Sequence, residues 1–213
     1  MFEQLALRYK AAAEKLGDRP SWFAYSPAIG NDLQYSVATP VRSFSMFADM
    51  SDDVATAFGM EEAMKMVALA KESISNVESY VVVQRPNLSI VGPESQGAPE
   101  MTFAYSIMVK QGRNEDWEAS MANLIEASKK VTPDLHWNTF QGGIAAPNLY
   151  SIRINLDWTD LDTPTMSAPE RLIAAFGEKK GKQMWAENLD MVESITTSVS
   201  HFRMDLSNLP PES

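Results

Sequence analysis

Cysteine is absent from the 213 residues, and histidine occurs only as His136 and His201. The first absence excludes a disulfide framework, a thiolate nucleophile and any cysteine-ligated zinc or iron–sulfur centre. The second leaves two imidazoles for proton transfer or metal ligation. Cationic side chains are also scarce: 18 Lys and Arg face 28 Asp and Glu, for a net charge of −10 and a pI near 4.7. Nucleic acid and anionic membrane surfaces call for a basic patch, so neither is an expected partner. No stretch approaches the roughly 20 apolar residues needed to span a bilayer. G-x-S-x-G, H-E-x-x-H, the P-loop and G-x-G-x-x-G are all missing, which removes the usual motifs of hydrolases, zinc proteases and nucleotide binders. The first residues hold no basic segment followed by an apolar run, so the chain as written reads as cytoplasmic.

What is present is the composition of an ordinary globular protein, 45% hydrophobic and 22% charged. It is organised by a repeat. SWFAYSPAIGNDLQYSVATPV (21–41) aligns without a gap on HWNTFQGGIAAPNLYSIRINL (136–156), with Trp22 on Trp137 and Tyr35-Ser36 on Tyr150-Ser151 at an offset of 115. The match extends back through Glu3/Glu118, Ala12/Ala127 and Lys15/Lys130, giving seven identities over residues 2–41. Ala57-Phe58-Gly59 matches Ala175-Phe176-Gly177 at offset 118, and Asn87-Leu88 matches Asn208-Leu209 at offset 121. A period of this size points to two copies of one unit.

Apart from one strand, each copy reads as the same series of elements. Residues 3–16 carry apolar side chains at three- and four-residue spacing and predict an amphipathic helix, closed by Gly17 and Pro20. Residues 21–28 and 33–41 predict a hairpin through Gly30-Asn31-Asp32. Ser51-Asp52-Asp53 opens a helix to about Ser75 with a break at Gly59. ESYVVVQR, 78–85, predicts a strand. The second copy adds a strand at 102–110, then a helix at 115–130, the second hairpin, a helix at 168–195 opened by the capping box Ser167–Glu170, and a strand at 198–206. The expected fold class is α+β, two tandem ferredoxin-like (βαββαβ) repeats, over 1–91 and 102–213, with 92–101 as linker. The strand at 102–110 has no counterpart in the first copy. A native start further upstream would supply that strand and, if it carried a signal peptide, would make the protein periplasmic or secreted.

Two such units in one chain, with a Trp opening the second strand of each, resemble the dimeric α+β barrel superfamily, which includes antibiotic-biosynthesis monooxygenase-like and NIPSNAP-like proteins. The resemblance implies a pseudo-dimeric barrel of two sheets face to face with a cavity between them. Members include cofactor-free oxygenases on aromatic polyketides, haem-degrading enzymes and haem-dependent chlorite dismutases. Fold of this kind hosts many functions.

Strand alternation then suggests where chemistry would sit. On a strand at 198–206, His201, Arg203 and Asp205 share one face, and in the second hairpin Ser151, Arg153 and Asn155 share another with Asn138 nearby. Positions aligned with them in the first copy are bland, Ala38 and Pro40 standing against Arg153 and Asn155. The expectation is one polar cavity wall. There His201 is the general base, Arg203 and Asp205 complete the catalytic set, and Arg153, Asn155, Asn138 and Ser151 hold the substrate. The implied ligand is a small hydrophobic or aromatic molecule, and the implied reaction a cofactor-independent oxygenation or isomerisation. The alternative is a non-catalytic ligand-binding or structural protein of the same fold, and a homo-oligomer is compatible with either. No cofactor is expected. Haem would need His136 or His201 as axial ligand, and neither lies on an expected helix. A polar strand face is equally what a solvated sheet presents, and the recurrence of Trp22 and Trp137 in both copies favours packing over substrate stacking.

Overall fold

Apolar periodicity and punctuating glycines set the elements of the computed structural model, which describes residues 1–17, 19–29, 34–47, 53–92, 99–143, 146–163 and 165–209. Among these residues the chain has six α-helices and seven strands. It divides into two compact units, one of Met1–Pro27, Asn31–Glu78 and Phe202–Ser213, the other of Ala28–Gly30 and Ser79–His201.

In the first unit, α1 (Phe2–Leu16) turns Leu5, Ala12 and Ala13 inward. Leu5 and Ala12 pack with Val54 and Ala57 of α2 (Asp53–Phe58) and Ala63 and Met66 of α3 (Met60–Ser73) into one small core. Strands β1 (Phe23–Ile29) and β2 (Ser36–Ala38) pair antiparallel, Phe23 opposite Ala38. The tip expected at Gly30-Asn31-Asp32 lies outside the described residues, as does most of the 92–101 segment.

The second unit is larger. Its strands β3 (Val82–Gln84), β4 (Met101–Val109), β5 (Asn138–Gly142), β6 (Leu149–Leu156) and β7 (Val192–Phe202) pair antiparallel in the order β7-β4-β6-β5-β3. Helices α4 (Asn114–Val131), α5 (Ala168–Phe176) and α6 (Glu178–Asp190) complete it. Trp117, Met121, Leu124 and Ile125 of α4 and Leu172 of α5 share a core with Ile107 of β4, Tyr150 and Ile152 of β6 and Trp137. Trp117 and Tyr150 are fully buried, with ring centroids 4.3 Å apart. Fully burying an aliphatic side chain such as Met121 or Leu172 stabilises by about 1.5–3 kcal/mol, so this cluster holds α4 and α5 to one sheet face.

Several expectations meet the structure directly. α5 begins with the expected capping box, Glu170 accepting from the Ser167 backbone and hydroxyl at 2.7 Å each. The break at Gly59 is present between α2 and α3. The single helix expected at 168–195 is instead two helices and the start of a strand. Gly177, with φ 86°, adopts a left-handed conformation that interrupts the helix, as its match Gly59 does at φ 93°. Beyond Met191, β-branched Val192, Ile195, Thr196, Thr197 and Val199 favour a strand. That strand ends at Phe202, and Met204–Leu206 is a 3₁₀ turn rather than the continuation expected to 206.

Gly181 lets α6 approach α5. A Cβ at this position would sit 2.6 Å from the Ile173 Cα and backbone nitrogen. Gly181→Ala is therefore expected to lower stability by about 1–3 kcal/mol in urea unfolding, although alanine is the better helix former. An unchanged or raised midpoint would show that the helix pair is not so tightly apposed.

Candidate functional site

Register decides which side chains share a face, because directly paired residues of an antiparallel sheet project to the same side. Tyr150 and Ile152 belong to the helix-covered core, so Ser151, Arg153 and Asn155 of β6 project from the opposite face. Arg153 pairs with Asn138 on one side and with Ala104 on the other, and Ala104 pairs in turn with Ser198. Four sequence-predicted residues, Asn138, Ser151, Arg153 and Asn155, are thus brought together on the face of the second unit's sheet opposite α4 and α5.

Arg153 is half-buried, its guanidinium carbon 5.0 Å from the centroid of the Phe140 ring, and its Nε donates to Ser151 Oγ at 3.4 Å. Among the described residues it makes no ion pair. Asn138 Oδ1 accepts from Gln84 Nε2 at 3.1 Å. Gln84 and Phe140 were not singled out on sequence. Their signal is the register itself, since Gln84 stands opposite Phe140 and Phe140 opposite Ser151.

The other candidates lie elsewhere. His201 pairs with Met101, on the same parity of β4 as Ile107, and so projects to the helix-covered side, with its ring 5.1 Å from Trp158. It does not share a face with Arg153. Arg203 and Asp205 follow the end of β7 and belong to the first unit. Arg203 is bidentate to Asp205 at 2.8 and 2.7 Å and also pairs with Glu3. The strand face expected to unite His201, Arg203 and Asp205 is not formed, because the alternation stops where the 3₁₀ turn begins. His136 packs on Gly92, where a Cβ would meet its ring at 2.6 Å.

Arg203 has instead a structural duty that is repeated in the second unit. Its backbone N–H donates to the Ala24 carbonyl at 2.8 Å, Ser207 Oγ accepts from the Ala24 N–H at 2.9 Å, and the Trp22 indole donates to the Leu206 carbonyl at 2.9 Å. Glu3 accepts from the Tyr35 hydroxyl at 2.9 Å. In the second unit Arg85 donates to the Thr139 carbonyl at 2.8 Å, Ser89 Oγ accepts from the Thr139 N–H at 2.9 Å, and the Trp137 indole donates to the Leu88 carbonyl at 2.9 Å. Glu118 accepts from Tyr150 at 2.8 Å and from Arg85 at 2.6 Å. Both tryptophans therefore serve the scaffold. Arg85 and Arg203, which make these corresponding bonds, are separated by 118 positions (203 − 85 = 118), whereas the two Asn-Leu pairs are separated by 121.

The electrostatics follow from these bonds. Hydrogen bonds from Arg203 and Tyr35 hold the Glu3 carboxyl below its ordinary value, and Arg203 does the same to Asp205. Burial and the Glu118 carboxylate push the Tyr150 phenol up, so it stays a donor at all ordinary pH. A groove of about 610 Å³ between α4 and α6, lined among others by Arg113, Asp116, Ser120 and Glu187, is open to solvent and contains none of the sequence candidates. Among the described residues, no cluster of acidic and histidine side chains could hold a metal, and no helix is long and apolar enough to cross a membrane.

Two outcomes test the scaffold assignment. Because Glu3 and Asp205 are depressed in the folded state, the Arg203 contacts contribute stability that is full above their unfolded values of 4.5 and 3.8 and fades as pH falls through the folded ones. The stability difference between wild type and Arg203→Gln should therefore be constant from pH 6 to 8 and shrink below about pH 4, and a constant difference throughout would contradict the pairing. Glu118→Gln should cost about 1.5–3 kcal/mol, the range for hydrogen bonds to a charged group. A loss below about 0.5 kcal/mol, typical of a surface change, would place Glu118 outside the framework.

Two solved structures are similar to this chain. One is a candidate monooxygenase from Lactobacillus acidophilus NCFM, with 10% identity, 94% of this chain and 85% of that chain covered, and a TM-score of 0.49. The other is a candidate monooxygenase from Fusobacterium nucleatum subsp. nucleatum ATCC 25586, with 11% identity, 91% and 84% covered, and a TM-score of 0.46. At these values neither likeness bears on what this chain binds or does. No protein-family model and no curated protein matches the sequence.

Proposed function

We propose that this chain binds a small hydrophobic or aromatic molecule on the face of the second unit's sheet opposite α4 and α5, with Asn138, Ser151, Arg153 and Asn155 as the polar groups that orient it. The observation that carries this reading is Arg153, a half-buried cation that makes no ion pair among the described residues, on a face whose paired neighbours in the sheet are uncharged. A buried or half-buried charge calls for a compensating partner, and a ligand can supply it. The family reading goes with this proposal: two tandem ferredoxin-like repeats, the second bearing the site, in the manner of the dimeric α+β barrel superfamily. It draws support from the parallel bonding of Glu3, Tyr35, Trp22 and Arg203 with Glu118, Tyr150, Trp137 and Arg85. Ala38 and Pro40 stand where the second copy has Arg153 and Asn155, so the polar equipment belongs to one copy.

Binding without catalysis is favoured over a cofactor-free oxygenase or isomerase by the position of His201. Its pairing with Met101 puts it on the face opposite Arg153, where it could not act as base on a ligand held there. Arg203 and Asp205 are occupied with Glu3 and with each other. An enzymatic form of the reading keeps Arg153 and Asn138 as holders of an oxygen anion and needs a base other than His201.

Amide chemical-shift mapping with a panel of aromatic fragments tests the location. Shifts should concentrate at Asn138, Ser151, Arg153 and Asn155, and Ser106→Trp, which fills the same face beside Ser151, should abolish them. Shifts confined to the groove between α4 and α6, or to the surroundings of His201, would overturn the reading.

A further inference from the structure

We infer that the ligand of this face is a flat aromatic carboxylate, held through the guanidinium fork of Arg153. The inference rests on the small-molecule reading above and adds the chemical class.

The first support is the donor inventory. Arginine carries five N–H donors in a rigid plane and no acceptor, and it remains charged throughout the ordinary pH range. In Arg153, Nε is directed at Ser151 Oγ and the guanidinium carbon lies 5.0 Å from the centroid of the Phe140 ring. The two terminal nitrogens, the fork that matches a carboxylate, have no acceptor among the described residues. Asn138 is the cross-strand partner of Arg153, and its oxygen is engaged by Gln84 Nε2. What it presents to a ligand is therefore its amide N–H donors. Fork and amide together make a site of donors only.

The second support is the absence of competing negative charge. The strands that carry this face contribute Thr102, Ala104 and Ser106 from β4 and Thr196, Ser198 and Ser200 from β7, in register with one another. None is acidic, in a chain with 28 carboxylates. One arginine beside neutral amides suits a single planar negative charge. A phosphate, with more charge and a tetrahedral shape, would call for further cations.

The third support is shape. From Arg153 the sheet continues through Ala104 to Ser198, two small side chains on consecutive strands. At about 4.8 Å per strand this leaves a shallow floor roughly 10 Å across beside the guanidinium, wide enough for a two-ring system lying flat. The Phe140 ring of β5 lies to one side of the guanidinium, its centroid 5.0 Å from the guanidinium carbon, and the floor over Ala104 on the β4 side is left for the body of a planar anion.

The test is calorimetric titration of the full chain with 2-naphthoate, alongside acetate, sulfate and neutral 2-naphthalenemethanol. 2-Naphthoate should bind, with each of the other three at least tenfold weaker. Arg153→Lys, which keeps the charge and loses the fork, should raise the Kd for 2-naphthoate tenfold or more, and Arg153→Gln at least as much. Circular dichroism of both variants checks the fold, and the smaller change Asn138→Ala should weaken binding severalfold by removing the amide donors. The inference fails if 2-naphthoate does not bind or binds Arg153→Gln with unchanged Kd. It also fails if sulfate or acetate matches 2-naphthoate. If 2-naphthalenemethanol binds this face as well as 2-naphthoate does, the carboxylate inference falls while the small-molecule reading stands. If neither perturbs this face, both fall.

Discussion

The carboxylate of Glu118 fixes which way strand β6 faces. By accepting from the Tyr150 hydroxyl and from Arg85, it holds Tyr150 under α4 and ties the segment after β3 to the same point. Period-two alternation does the rest: with Tyr150 and Ile152 committed to the core, Ser151 and Arg153 have no choice but the other side. A slip of one residue would turn Arg153 into the helix-covered core and expose Tyr150, which the cost of an unpaired buried charge forbids. The polar face is in this sense a consequence of the buried clamp.

Much of this was legible in the sequence because the same constraints act twice. Glu3 and Glu118, Tyr35 and Tyr150, Trp22 and Trp137 recur at one offset since each set makes the same bonds, a carboxylate to a tyrosine and an indole to a carbonyl of a 3₁₀ turn. Their recurrence could be seen, but not that Glu and Tyr meet, because that contact joins a helix to a strand about 32 residues away. The break at Gly177 was also within reach, since Gly59 was read as a break and the two glycines match.

What could not be read was the fate of the last strand. Alternation predicts faces only while a strand continues, and nothing in SHFRMDL announces that the strand stops at Phe202. The chain beyond that end carries Arg203 to Glu3, while His201, still in register with Met101, faces the helix-covered side. Of the three polar residues with the strongest look of a catalytic set, Arg203 and Asp205 lie beyond the strand, and His201 lies within it on the helix-covered side. Arg153, Asn138, Ser151 and Asn155 lie within unbroken strands or at a strand's first residue, so for them the same reasoning held.

The charge pattern joins scaffold to site. Arg85 and Arg203 sit in frameworks where carboxylates meet them, while Arg153 keeps a fork with no such partner among the described residues. A crystal structure of the protein soaked with 2-naphthoate tests that contrast most directly. The account predicts carboxylate oxygens about 2.7–2.9 Å from the terminal nitrogens of Arg153, with the rings lying over Ala104. Ligand density beside His201 on the helix-covered side, or in the groove between α4 and α6 with Arg153 untouched, would contradict it.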